Sequence, residues 1–130
     1  MKNTLQDMEQ LQSMFQSCQK IFTALGDENR QRLLCIMLGG KCGGSRVVDI
    51  AGKTNLSRPA VSHHMQILKD AGIVKVRKEG TCVYYYLDPE EEEVEKMIDL
   101  FSDIQRIMRN VPDRSGEDWS KQSTDWEGQR

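Results

Sequence analysis

Long hydrophobic runs are missing from this sequence: none approaches the roughly 18 apolar residues needed to cross a bilayer. Its opening residues, MKNTLQDMEQLQSMFQ, place acids and glutamines where a signal peptide would carry an apolar stretch. These two absences predict a cytoplasmic protein with no membrane partner. Cysteine is sparse too. Cys18, Cys35, Cys42 and Cys82 show no CxC, CxxC or Cys/His spacing, which argues against a disulfide framework or a zinc ribbon. Reduced, mostly buried thiols are the expectation, with no metal site built from them. There is no Gly-rich phosphate loop, nucleophile elbow or metalloprotease motif, so neither an enzyme nor a cofactor is predicted. The seven methionines follow the helical apolar positions and are expected in the core. Hydrophobic residues make up only 38% of 130, and mean hydropathy is −0.61. That is little for a self-sufficient core, so either part of the chain lacks fixed structure or a second copy completes the fold.

A net charge of −2 at first excludes a nucleic-acid binder. The distribution reverses that reading. From Lys53 to Cys82, six cations (Lys53, Arg58, Lys69, Lys75, Arg77, Lys78) face two acids (Asp70, Glu79), a local balance of +4. From Val83 to the end, thirteen acids face six cations, a balance of −7. A compact basic segment inside an acidic chain is what a local phosphate-binding surface requires.

Leu5, Met8, Leu11, Phe15, Cys18, Phe22 and Leu25 recur at three- and four-residue steps, predicting one amphipathic helix over about residues 3–25, ended by Gly26. Asp27 is suited to cap a second helix running to about Leu38. GGKCGG, residues 39–44, reads as a flexible loop, and a short helix follows from about Arg46 to Thr54. In NLSRPAVSHHMQILKDAG, Ser57 can cap a helix that tolerates Pro59 in its first turn. Val61, Met65 and Leu68 form its buried stripe, and Gly72 ends it. Two helices around a short turn read as a helix-turn-helix.

The period then drops to two. Val74, Val76 and Lys78 alternate, as do Thr81, Val83, Tyr85 and Leu87, with Glu79-Gly80 as the expected tight turn. A hairpin directly after a helix-turn-helix is a wing, its tyrosines mostly packing residues. Pro89 suits the start of a last helix to about Asn110, carrying Val94, Met97, Ile98, Phe101, Ile104, Ile107 and Met108. The fold class is therefore mainly α with a small β-hairpin. Residues 1–110 are expected to form one winged helix-turn-helix domain for DNA binding and dimerisation. Residues 111–130 read as a polar, disordered tail in which only Trp119 and Trp126 point toward docking.

FTALGDENRQRLL, residues 22–34, followed by LSRPAVSHHMQILKDAGIVKVRKEGTCVYYYLD, residues 56–88, closely resembles the arsenic-resistance repressor (ArsR/SmtB) family. The likeness runs in order over about residues 15–108. It implies a winged-helix homodimer whose first and last helices pair across a two-fold axis, and a repressor that an inducer releases from its promoter. Leu11, Phe15, Phe22, Val94, Ile98, Phe101 and Met108 are the residues expected to dimerise. The terminal stripes, which lack a partner in the sequence pattern, agree with that dimer.

A recognition helix presents the face opposite its core stripe to the major groove. Here that face carries Arg58, Ser62 and Gln66 at four-residue spacing, with His63 beside them and Ser57 and Ala60 at the helix start. Arg58 can read guanine and Gln66 adenine, while Ser57 and Ser62 suit phosphate or base hydrogen bonds. In the wing, Arg77, Lys78 and Thr81 are expected at phosphates or the minor groove. His63 and His64 point about 100° apart on a helix and cannot share one ion comfortably; the resemblance places the first near DNA and the second against the scaffold. The expected partner is double-stranded DNA carrying an inverted repeat. The alternative is a winged-helix module that binds proteins instead of DNA.

The inducer is harder to read. Family members that sense metals through the third helix carry Cys-x-Cys-Asp where this chain has Arg46-Val47-Val48-Asp49. Members that sense zinc through the last helix use Asp and His, and residues 89–110 contain no histidine. Glu90 to Glu93 read as an acidic first turn favourable at a helix N-terminus. Cys35 resembles the position used by the family's redox and persulfide sensors, whose second cysteine, in the last helix, is absent here. Cys18 is a substitute partner, and Cys42, beside Lys41, the best candidate for an exposed thiol. Cys82 sits in the wing. A thiol-linked signal and an atypical thiolate site for a metal or metalloid both stay open.

Overall fold

The apolar stripe at the start of the chain does not make one helix. In the computed structural model, which describes residues 4–116, α1 runs over Thr4–Ser17 and α2 over Gln19–Leu25. The break has a local cause. The Ser17 hydroxyl donates to the Met14 carbonyl at 3.1 Å, and the Cys18 N–H is shared between the Met14 and Phe15 carbonyls at 3.2 Å each. A side chain competing for a helix carbonyl loosens the ladder, and a shared N–H is how a helix ends. The Cys18 side chain itself is buried.

Asp27 caps α3 (Glu28–Leu38), its carboxylate accepting from the Arg30 N–H at 3.1 Å. α4 is shorter than expected, Val47–Ala51. A turn follows in which the Thr54 hydroxyl donates to the Ala51 carbonyl and accepts from the Leu56 N–H. Ser57 then caps α5 (Arg58–Asp70) by accepting from the Ala60 N–H at 3.3 Å, with Pro59 in the first turn. Ile73 and Val74 carry the core from α5 into β1 (Val74–Glu79), which pairs antiparallel with β2 (Cys82–Leu87).

Glu79 opposes Cys82, so the two-residue turn is Gly80-Thr81, one position later than expected. Gly80 has φ +61° and Thr81 does not share the positive φ, the pattern of a type II′ hairpin turn. Ser45 extends the hairpin: it exchanges both backbone hydrogen bonds with Tyr85, at 2.8 and 2.9 Å. Gly44 makes that approach possible, since a Cβ there would lie 3.0 Å from the Tyr85 carbonyl oxygen. α6 spans Glu91–Arg109 and opens on Glu91, Glu92 and Glu93. Before it, Lys75 pairs with Asp88 at 2.9 Å and with Glu90 at 3.2 Å.

The described chain divides into two compact units. Residues 19–94 form one, from α2 through the first turn of α6; the described terminal segments, 4–18 and 95–116, form the other. In the first unit Leu33, Ile50, Val61, Met65 and Leu68 are fully buried around Ile73, Val74 and Tyr85. In the terminal unit Cys18 and Leu100 are buried, and Arg106 bridges Asp7 at 3.0 Å and Asp103 at 2.8 Å. No helix among the described residues is long and apolar enough to cross a membrane. Trp119, Trp126 and most of the expected tail lie outside the described residues.

Candidate nucleic-acid interface

α5 has two sharply different sides. Val61, Met65 and Leu68 are completely buried, while Arg58, Ser62, His63 and Gln66 are exposed on the face turned away from the core. That division follows from 3.6-residue periodicity, the apolar stripe fixing which side chains remain outside. Arg58 makes no hydrogen bond or ion pair among the described residues, so its five donors are unused. Gln66 is engaged: its amide donates to Asp70 at 2.9 Å, one turn along the same helix. Ser57 is committed as the cap but keeps a hydroxyl hydrogen to give, and Ala60 is half-buried in the first turn.

The wing separates its three expected contacts. Lys78 and Thr81 are exposed at the hairpin tip. Arg77 is tied down instead. It donates to the Gly43 carbonyl at 2.7 Å and to Glu79 at 2.9 Å, and its guanidinium lies 5.0 Å from the centroid of the Tyr84 ring. This arginine braces the 43–45 segment against the hairpin, with its charge already matched by Glu79.

Behind α5, a residue that the sequence reading passed over becomes conspicuous. Arg30 is a buried cation, only 9% exposed. Its Nε donates to the Ala24 carbonyl at 2.7 Å and its Nη2 to the Thr23 carbonyl at 2.9 Å, carbonyls of the last turn of α2 that no helical N–H reaches. Its Nη1 lies 3.3 Å from His64 Nδ1 on α5. A signal was present in the sequence: Arg30 shares a helical face with Leu33 and Met37, where an unpaired cation would be costly. His64 is half-buried and faces this scaffold, whereas His63 is exposed, their rings 5.9 Å apart and tilted by 52°.

The model of the bacterial regulatory protein arsR family matches residues 27–76, from the cap of α3 into β1. Over 86 residues, 65% of this chain, the sequence is 40% identical to an HTH-type transcriptional regulator of Methanocaldococcus jannaschii and spans 94% of it. The chain belongs to the arsR family. It is also 35% identical over 68 residues to the transcriptional repressor SdpR of Bacillus subtilis, covering 52% of this chain and 72% of that protein. An ArsR-like transcriptional regulator from Rhodococcus superposes with a TM-score of 0.64 at 23% identity, over 75% of this chain and 84% of its own, and shares the winged-helix fold.

The thiols of this ArsR-family chain occupy four different settings. Cys18 is buried, Cys35 and Cys42 are exposed, and Cys82 is half-buried beside the Arg46 guanidinium. The expected mostly buried set is thus corrected: small exposed positions on α3 and in the 39–44 loop carry two of them. Cys18 and Cys35 lie in different units. Among the described residues no group of three or more His, Cys, Asp or Glu side chains is assembled as a metal site. In the terminal unit a groove of about 340 Å³ is lined by Gln10, Met14, Asp99, Ser102, Asp103 and Arg106.

Of the residues expected to dimerise, Phe15, Val94, Ile98, Phe101 and Met108 are exposed, and Leu11 and Phe22 are half-buried.

Proposed function

We propose that this ArsR-family chain is a homodimeric transcriptional repressor that reads an inverted-repeat operator through α5 and grips it with the wing. The observation that carries this reading is the outer face of α5. There Arg58, Ser62, His63 and Gln66 stand exposed within a basic segment of an otherwise acidic chain. Such a face combines base-edge donors with local positive charge, so the long-range attraction is sequence-independent and the side chains supply discrimination. A protein-interaction module has no need of that combination. Dimerisation falls to α1 and α6, where covering the exposed half of Ile98, Phe101 or Met108 is worth about 1 kcal/mol each.

Release is assigned to a thiol-linked signal. Cys35 and Cys42 are the thiols an oxidant or persulfide reaches, and Cys18 is shielded. A thiolate metal site would need ligands brought together from more than one place in the chain or from a second copy.

The test is a mobility shift on a duplex carrying the promoter of the protein's own gene, run with reduced, oxidised and persulfidated protein and with zinc, arsenite or cadmium added. Reduced protein is expected to shift the duplex, and oxidation or persulfidation to release it unless Cys35 and Cys42 are replaced by Ser. Release by a metal alone would reassign the inducer. No shift under any condition would overturn DNA binding.

A further inference from the structure

Beyond its buried Val61/Met65/Leu68 stripe, the recognition helix meets another helix through one side-chain polar contact among the described residues, Arg30 with His64, and that contact has a chemical condition attached. A guanidinium carries five donors and no acceptor, so the 3.3 Å approach of Arg30 Nη1 to His64 Nδ1 is a hydrogen bond only if Nδ1 is unprotonated. His64 must then be neutral, with its proton on Nε2. Two of the other donors of Arg30 are already occupied by the Ala24 and Thr23 carbonyls, so the guanidinium cannot turn away without orphaning the end of α2. One side chain therefore joins α2, α3 and α5.

We propose that Arg30 and His64 form a positioning pair that sets the recognition helix against α2, and that DNA affinity depends on His64 remaining neutral. Protonation would turn the Nδ1 acceptor into a donor and place a second cation against a buried one, an arrangement that can be relieved only by moving α5 or the guanidinium. The charged and titratable groups set against His64 are few. Arg30 faces it directly from α3. Asp27, whose Oδ2 lies 4.0 Å from Arg30 Nη1, offsets part of that charge. His63 is its neighbour on α5. α2 contributes backbone carbonyls and carries the exposed Lys20, while Asp49 of α4 pairs with Arg46, and on β1 Lys75 pairs with Asp88 and Glu90, Arg77 with Glu79, and Lys78 is exposed at the hairpin tip. The pair thus carries the full positive charge of Arg30, with the Asp27 carboxylate as the counter-charge near both side chains.

The proposal rests on α5 being the DNA-reading helix, so its test has one arm without DNA. In the full-length protein at about pH 7.5, imidazole ¹⁵N spectra should show His64 as the Nε2–H tautomer, and Arg30→Lys should abolish that preference; the Nδ1–H tautomer in the wild type would overturn the pair. The second arm uses the His63→Asn background, in which the exposed ring cannot add charge to the DNA face. There, affinity for the own-promoter duplex should fall at least about fivefold between about pH 7.5 and 5.5 at constant salt. Adding His64→Asn, which keeps an acceptor but does not titrate in that range, should flatten the profile. An unchanged fall in His64→Asn would overturn the coupling to DNA. Loss of all binding with the expected tautomer intact would instead point to failure of the DNA reading.

Discussion

Between Gln19 and Val94 most apolar residues face inward, with Leu33, Ile50, Val61, Met65 and Leu68 at most 1% exposed, and Leu38 at 76% and Val94 at 39% are the exceptions among the large hydrophobics there. In the terminal unit the balance is reversed. Cys18 and Leu100 are buried there, while Leu5, Met8, Phe15, Ile98, Phe101 and Met108 stay 44–57% exposed. Both units obey the same helical periodicity, so the difference does not lie in local structure. It lies in how much apolar surface each can cover by itself. The first unit has a hairpin and four helices to wrap around one core; the second has two helices, each with an apolar stripe wider than the other can cover. Under the proposed function the contrast separates two tasks: the closed unit carries α5 on a buried core, and the open one is the surface assigned to a second copy.

The largest expected effect tests that contrast directly. Leu68→Ala, in the closed core, should cost about 2–5 kcal/mol in denaturant unfolding, independent of protein concentration. Ile98→Ala should change the stability of the isolated chain by less than about 0.5 kcal/mol yet weaken self-association, seen as a concentration-dependent midpoint in sedimentation. Equal, concentration-independent losses would erase the distinction between the units. Next in size, Arg58→Ala should remove about 1–3 kcal/mol of discrimination at one base position, whereas Lys78→Ala should weaken all sequences alike and reduce the salt slope by about one. Competition binding with single-base variants separates the two.

The smallest effect concerns acid. The Arg30 backbone N–H bonded to the Asp27 carboxylate holds its pKa below the ordinary aspartate value, outweighing desolvation, with the Arg30 charge adding to the lowering. A depressed folded-state pKa adds stability that is present above the unfolded value and is lost as pH falls through the folded one. Asp27→Asn should therefore flatten the acid limb of the unfolding midpoint below about pH 4, leaving neutral stability nearly unchanged because asparagine also caps.

Much of this was legible in the sequence because it depends on local rules. Ser57, Pro59 and the Val61/Met65/Leu68 stripe specify α5, its start and its outer face together. The fold class, the Asp27 cap and the positive φ at Gly80 follow likewise from residue type and spacing. Three features were not legible. The break at Cys18 is local but leaves the apolar stripe uninterrupted, since it depends on the Ser17 hydroxyl bonding back to its own helix, which the apolar spacing does not record. The bond from Arg77 to the Gly43 carbonyl was not legible because its partner lies 34 positions away. Arg30 was missed because its partners are two carbonyls and a ring nitrogen, which no charge pattern reveals, although its place among Leu33 and Met37 was a warning.

The central claim is that the exposed face of α5 reads operator DNA as part of a two-fold dimer. Hydroxyl-radical footprinting of the own-promoter duplex tests it most directly, with wild type and Arg58→Ala run in parallel. The account predicts two protected half-sites related by a dyad and about one helical turn apart, centre to centre, with protection lost or spread by the substitution. A single protected half-site, or a pattern indifferent to Arg58, would contradict it.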